Sequence, residues 1–209
     1  RNRKVCVYYW NLITDREISP AFIKDKYPNF MLCSFDPEDS KKYNIRFIDT
    51  YYFNNNDFTN KILSDLFYVG GVRPGRKELL EDIKKITNYK YRYNFNLIEF
   101  NDFQPGIPYS EIVNFIKETK VIIDLNRDGQ NGLTLRPLEA IFYKKKLITN
   151  NKNIINFPFY KKNNIFIIGV DSNDYLRDFI DLPFEEIDQK IIEYYEFSSW
   201  IRRIIDLWT

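Results

Sequence analysis

The chain contains no histidine. That absence removes several chemistries together: a Ser-His-Asp triad cannot be built, and no zinc or haem centre can rest on imidazole. Cysteine is scarce as well. The two copies, Cys6 and Cys33, fall inside apolar, strand-like runs, as expected of buried free thiols in a reducing, cytoplasmic compartment. No apolar run reaches the length of a membrane-spanning helix. An excess of charge is missing too. The 31 basic and 29 acidic residues leave a net +2, without the polybasic signature of a nucleic-acid binder, so no nucleic-acid partner is expected. The triplet Lys144-Lys145-Lys146 reads as a solvated helix end. There is no methionine at position 1. The chain opens on Arg1 and enters a strand-like run almost at once, which reads as a cut through a longer protein.

What is present is the patterning of an α/β protein. A chain of 209 residues can hold one large or two small domains, taking about 150 residues per domain. Up to residue 53 the pattern predicts strand (5–10), helix (19–26), strand (30–33), short helix (37–43) and strand (46–52). Asp36 can cap the short helix, with Pro37 at its first position. The polar stretch 54–57 suits a linker. Beyond it the alternation sharpens: strand 66–69, helix 77–87, strand 93–98, helix 109–118 and strand 121–125. Helix 135–143 and strands 146–149 and 165–170 follow. Residues 121–125 are almost continuously apolar, as a parallel strand buried on both faces should be. Strands alternating with helices of this length imply βαβ units, a parallel sheet and helices on both faces. Residues 187–207 predict one long amphipathic helix with a break near Ser198-Ser199.

Ligands of open α/β sheets bind beyond the carboxyl ends of the strands, where loops enter helix N-termini. Two such loops carry suitable chemistry. In the first, residues 69–76, Gly70 and Gly71 allow close backbone approach, and Arg73 and Arg76 can pair with phosphate oxygens. The same residues also read as an ordinary glycine turn beside a solvated arginine. The second loop runs from Asn126 to Gly132, with a helix starting near Thr134 and Pro137 in its first turn. Free N–H groups and the helix dipole there suit a diphosphate. Glu139, one turn in, could accept both hydroxyls of a ribose. Alternatively, Arg136 and Glu139 form an exposed i, i+3 pair contributing only about 0.2–0.5 kcal/mol. Asp124, at a strand end, fits a buried structural role as well as a functional one.

The stretch from Gly132 through Glu139-Ala140 to Lys146-Leu-Ile-Thr-Asn150 resembles the donor-site signature of GT-B glycosyltransferases. Many retaining members place a glutamate on each side of this turn. Glu139 matches the second, which in the family binds the donor ribose; Asn131 stands where the first would be, a departure from that pattern. A closer resemblance is to GT-B-type bacterial enzymes of lipopolysaccharide and capsular polysaccharide biosynthesis. It is carried by Asp124-Leu-Asn126, Gly129-Gln-Asn-Gly-Leu-Thr-Leu-Arg136, Glu139-Ala140 and the strand to Asn150. Upstream, Cys33-Ser-Phe-Asp36, Asp39, Lys42-Tyr43, Phe67-Tyr-Val-Gly-Gly71 and Arg76 also match.

The resemblance implies a Rossmann-like nucleotide-sugar domain over 61–209, with a crossing helix at 187–207. Residues 1–54 would be the last βαβ units of an acceptor-side domain. Gly71, Arg73, Asn126, Gly129, Gln130, Asn131, Gly132, Leu133, Thr134 and Glu139 would bind the donor. Arg136 and Arg76 would be catalytic, stabilising the leaving nucleoside diphosphate. Neither metal nor cofactor is implied, only a nucleotide-sugar substrate such as a UDP- or GDP-sugar and a glycan or lipid-linked acceptor. Peripheral membrane contact would come through the part of the acceptor-side domain that the resemblance places before Arg1. Two other readings remain: a non-catalytic nucleotide- or sugar-binding module, and a nicotinamide-dependent oxidoreductase. Against the last, the turn Gly70-Gly-Val-Arg-Pro-Gly75 does not match Gly-x-Gly-x-x-Gly.

Overall fold

The computed structural model describes residues 3–14, 17–54, 59, 61–99 and 106–208. Residues 55–57 of the expected linker lie outside these. The first elements are β1 (Cys6–Tyr9), α1 (Pro20–Lys26), β2 (Met31–Ser34), α2 (Pro37–Tyr43) and β3 (Arg46–Phe47). After them come β4 (Ser64–Gly71), α3 (Arg76–Ile86), β5 (Tyr93–Ile98), α4 (Tyr109–Lys117), β6 (Thr119–Asp124), α5 (Leu135–Phe142) and β7 (Lys146–Thr149). A short 3-10 helix (Lys152–Asn156) leads to β8 (Ile165–Ile167), α6 (Asn173–Asp181), α7 (Gln189–Tyr195) and α8 (Phe197–Asp206). The chain divides into two compact units. One holds Arg1–Phe53, Arg127–Leu135 and Glu193–Thr209; the other holds Asn54–Asn126 and Arg136–Ile192.

The smaller unit is built on a parallel sheet in the order β1-β2-β3. Successive β2 side chains face opposite sides, so Leu32 packs with Tyr9, Ile13 and Ile23 while Cys33 packs with Ile48, Trp200 and Ile204. Helix α2 has the expected bounds. The Asp36 side chain accepts from the N–H groups of Glu38 and Asp39, Pro37 is the first helical residue, and Asn44 closes the helix in the left-handed region at φ 49°.

Two expectations change here: β3 ends where its partner β2 ends, at Ser34, and the C-terminal helix is interrupted by a backbone bridge. The predicted strand 46–52 stops at Phe47, and the predicted C-terminal helix breaks at Glu196 rather than near Ser198-Ser199. Tyr52 N–H donates to Tyr195 O at 2.9 Å, and Phe197 N–H donates to Tyr52 O at 3.0 Å. This bridge holds Glu196 extended (φ −64°, ψ 145°) and separates α7 from α8. Helix α8 is then fixed by Trp200, whose indole N–H donates to Asp49 O at 2.8 Å, and by Arg203, which pairs with the Asp49 carboxylate at 3.0 Å.

The larger unit carries a five-stranded, wholly parallel sheet in the order β5-β4-β6-β7-β8. On one face Leu66, Tyr68, Val121 and Ile123 meet Leu80 and Ile83 of α3 and Leu176, Phe179 and Ile180 of α6. On the other, Phe67 meets Phe115 of α4 with ring centres 5.6 Å apart. Helix α6 was not anticipated, although its signals are in the sequence. Ser172 caps it by accepting from Tyr175 N–H, and Leu176, Phe179 and Ile180 form its buried stripe. The protein is thus α/β, with parallel sheets flanked by helices. Among the described residues, no helix is long and apolar enough to cross a membrane.

Candidate functional site

Strand order marks a candidate site in the larger unit. From β4 the chain moves outward to β5, then returns to β6 on the other side of β4. The connections leave in opposite directions at the carboxyl ends of β4 and β6, and an α/β sheet opens a ligand crevice at such a point.

Arg76, the first residue of α3, bridges this point. Its guanidinium donates to Gly71 O at the end of β4 (2.9 Å) and to Leu125 O just beyond β6 (2.6 Å). Gly75 precedes it at φ 79°, a left-handed conformation that glycine adopts without strain, and no side chain caps the helix start. Arg73 lies exposed on the same turn. A Cβ on Gly70 would lie 2.5 Å from the Tyr68 hydroxyl and 3.3 Å from an Arg76 nitrogen, so only glycine lets these three residues approach so closely. Burial raises the pKa of Tyr68 and Asp124 adds to the shift, while Arg76 works against it.

Helix α5 brings a second arginine. Arg136 donates to one carboxylate oxygen of Glu139, and the Tyr109 hydroxyl at the start of α4 donates to the other at 2.9 Å. Glu139 is fully buried, so the exposed-pair alternative does not describe it. Burial works against the charged form of Arg136, but Glu139 and then Asp124 outweigh it and hold its pKa above the ordinary arginine value. Asn126 joins the ends of β6 and β7: its N–H donates to the Asn150 side chain at 2.8 Å, and the Asn150 amide returns a bond to Asn126 O at 3.3 Å.

No protein-family model matches the chain, and no curated protein matches it in sequence. Among solved structures it is similar to the crystal structure of AviGT4, a glycosyltransferase involved in avilamycin A biosynthesis. The match covers 97% of this chain and 73% of that one, with a TM-score of 0.54 and 10% sequence identity. In fold, this chain resembles a glycosyltransferase.

Of the residues expected from the sequence, Gly71, Arg73, Arg76, Asn126, Arg136 and Glu139 belong to the larger unit, around the ends of β4 and β6 and the first turns of α3 and α5. Gly129, Gln130, Asn131, Gly132, Leu133 and Thr134 belong to the smaller unit. The sequence left the N–H groups of this loop open to an anion. In the structure, Asn131 N–H and Gly132 N–H both donate to one oxygen of Asp36, each at 2.8 Å. Gly132 also sits against Phe35, whose carbonyl oxygen would lie 2.6 Å from a Cβ there. Leu133 is buried, so it acts as packing. Sequence reasoning gave no individual role to Tyr68 and Asn150, although both stand in the motifs that carry the resemblance, and it missed Tyr109. Tyr109 had no detectable signal, because its partner is 30 residues away.

Proposed function

We propose that this chain takes part in glycosyl transfer from a nucleotide sugar, UDP- or GDP-linked, to a glycan or lipid-linked acceptor of the lipopolysaccharide or capsular type. The reaction needs no metal in this reading. The observation that carries it is Arg76 at the crossing of β4 and β6. Its hydrogen bonds go to two carbonyl oxygens, which orient the guanidinium without cancelling its charge. Breaking the bond between sugar and diphosphate leaves negative charge on the departing phosphate. A fixed cation beside an uncapped helix start is suited to receive it. Arg73 adds positive charge at the mouth of the turn, and Arg136 is the second candidate cation. The proposal rests on residues of the larger unit alone, and the likeness in fold to AviGT4 supports the reaction class.

The test is calorimetric titration with UDP, GDP and their sugars, followed by assay for donor hydrolysis. Wild type should bind a nucleoside diphosphate and slowly release sugar from the matching donor. Arg76→Ala, folded by circular dichroism, should lose both. Binding without any hydrolysis would favour a non-catalytic binding module. Binding unchanged in Arg76→Ala would refute the assignment of the site.

A further inference from the structure

The resemblance of the α5 region assigns Glu139 to the donor ribose, but the carboxylate is in the wrong place to meet one. Its side chain is 0% exposed, whereas that of Arg136 is 18% exposed. The cation, not the anion, faces outward. Both carboxylate oxygens already have partners, one in Arg136 and one in the Tyr109 hydroxyl. A buried arginine without a counter-charge is strongly unfavourable, so Glu139 is what allows Arg136 to sit here.

We propose that Glu139, fixed by Tyr109, is the built-in counter-anion of Arg136, and that the phosphates of an incoming nucleotide compete with it for that guanidinium. This rests on reading the β4–β6 crossing as the donor site. Glu139 is then a positioning residue. It holds Arg136 in place and keeps the pair neutral until a phosphate arrives. The second buried acid near Arg136, Asp124, acts in the same direction through its charge. Arg76, which donates to the carbonyl oxygens of Gly71 and Leu125, carries no such carboxylate competitor among its hydrogen bonds to the described residues.

The two roles for Glu139 predict opposite signs. A glutamine at 139 keeps the shape and an acceptor for Tyr109 but removes the negative charge. If Glu139 is a counter-anion, Glu139→Gln should tighten pyrophosphate, UDP and GDP by roughly tenfold, while uridine and guanosine bind as to wild type. If Glu139 holds the ribose, Glu139→Gln should weaken nucleosides and diphosphates alike and leave pyrophosphate unchanged; that result overturns the proposal. Should Glu139→Gln not fold, Tyr109→Phe keeps both charges and removes one hydrogen bond to the carboxylate. It should alter the affinity for pyrophosphate and leave nucleosides untouched, and the reverse pattern overturns the proposal. Failure of the wild type to bind pyrophosphate or any of these nucleotides refutes the donor-site reading and this proposal with it. That result is distinct from a wild type that binds and variants that shift the wrong ligand.

Discussion

Replacing Asp36 removes the acceptor for four backbone N–H groups at once. One oxygen accepts from Glu38 and Asp39 at 2.9 and 3.2 Å and so caps α2; the other accepts from Asn131 and Gly132, both at 2.8 Å. The residue is 1% exposed, so water cannot easily take its place. Losing the cap costs about 1 kcal/mol. Each buried N–H left without an acceptor costs a further ~1–3 kcal/mol, and the half-buried Asn131 should fall at the low end because its backbone can reach water. Asp36→Ala should therefore destabilise the smaller unit by about 3–5 kcal/mol, a large share of the ~5–15 kcal/mol typical of a folded domain. Asp36→Asn keeps one acceptor oxygen and turns the other into a donor. It can serve the cap or the loop but not both, and should cost about half as much.

The protein supplies its own probe. All three tryptophans, Trp10, Trp200 and Trp208, lie in the smaller unit, so indole fluorescence during urea unfolding reports that unit alone. Hydrogen exchange at the Asn131 and Gly132 amides reports the loop. In Asp36→Ala both amides should exchange faster than in wild type even where the unit stays folded. A loss below about 1 kcal/mol, the size of a helix cap alone, would refute the reasoning, as would unchanged protection of the two amides.

Two further outcomes follow from the larger unit. Gly70→Ala should destabilise it by roughly 1–3 kcal/mol in thermal denaturation followed by circular dichroism, because the new methyl would lie 2.5 Å from the hydroxyl of the buried Tyr68 and must push that ring aside. Lys146 is 3% exposed and donates to the carbonyls of Phe179 and Leu182 at the end of α6; burial lowers its pKa from 10.5 to about 8, with Asp181 opposing. A depressed lysine pKa means that the fold favours the neutral amine, so its contribution is full above the unfolded value and is lost as pH falls through 8. Lys146 should contribute on the order of 1 kcal/mol of stability gained between pH 7 and 9, and Lys145, which burial also lowers to about 8, adds to the same slope. Lys146→Met should therefore reduce the slope without abolishing it, and an equal slope in both proteins would exclude Lys146 as a source.

What could be read from the sequence and what could not divides by the distance between partners. The β6 run and the bounds of α2 were legible because burial on both faces, a capping aspartate and a first-turn proline are local signals. The shortened β3 and the break at Glu196 were not, since the first depends on where its partner strand β2 ends and the second on Tyr52 pairing with a segment over a hundred residues later in the chain. The site divides in the same way. Arg76 was visible from its glycine-rich turn. The i, i+3 pairing of Arg136 with Glu139 was readable from their spacing, but its burial and the Tyr109 hydroxyl on Glu139 were not. The Gly129–Thr134 loop was visible as suited to phosphate, but not as one whose N–H groups at Asn131 and Gly132 are already engaged. Asp36 stands 95 and 96 residues from the N–H groups it accepts, and Tyr109 stands 30 from Glu139. In both places a motif that reads as an anion or sugar site holds the protein's own carboxylate. Such carboxylates stabilise an otherwise costly cluster of donors. Among the described residues Arg76 has no carboxylate among its hydrogen-bond partners, so under the proposed donor-site reading it ranks above Arg136 as the first group a diphosphate would meet.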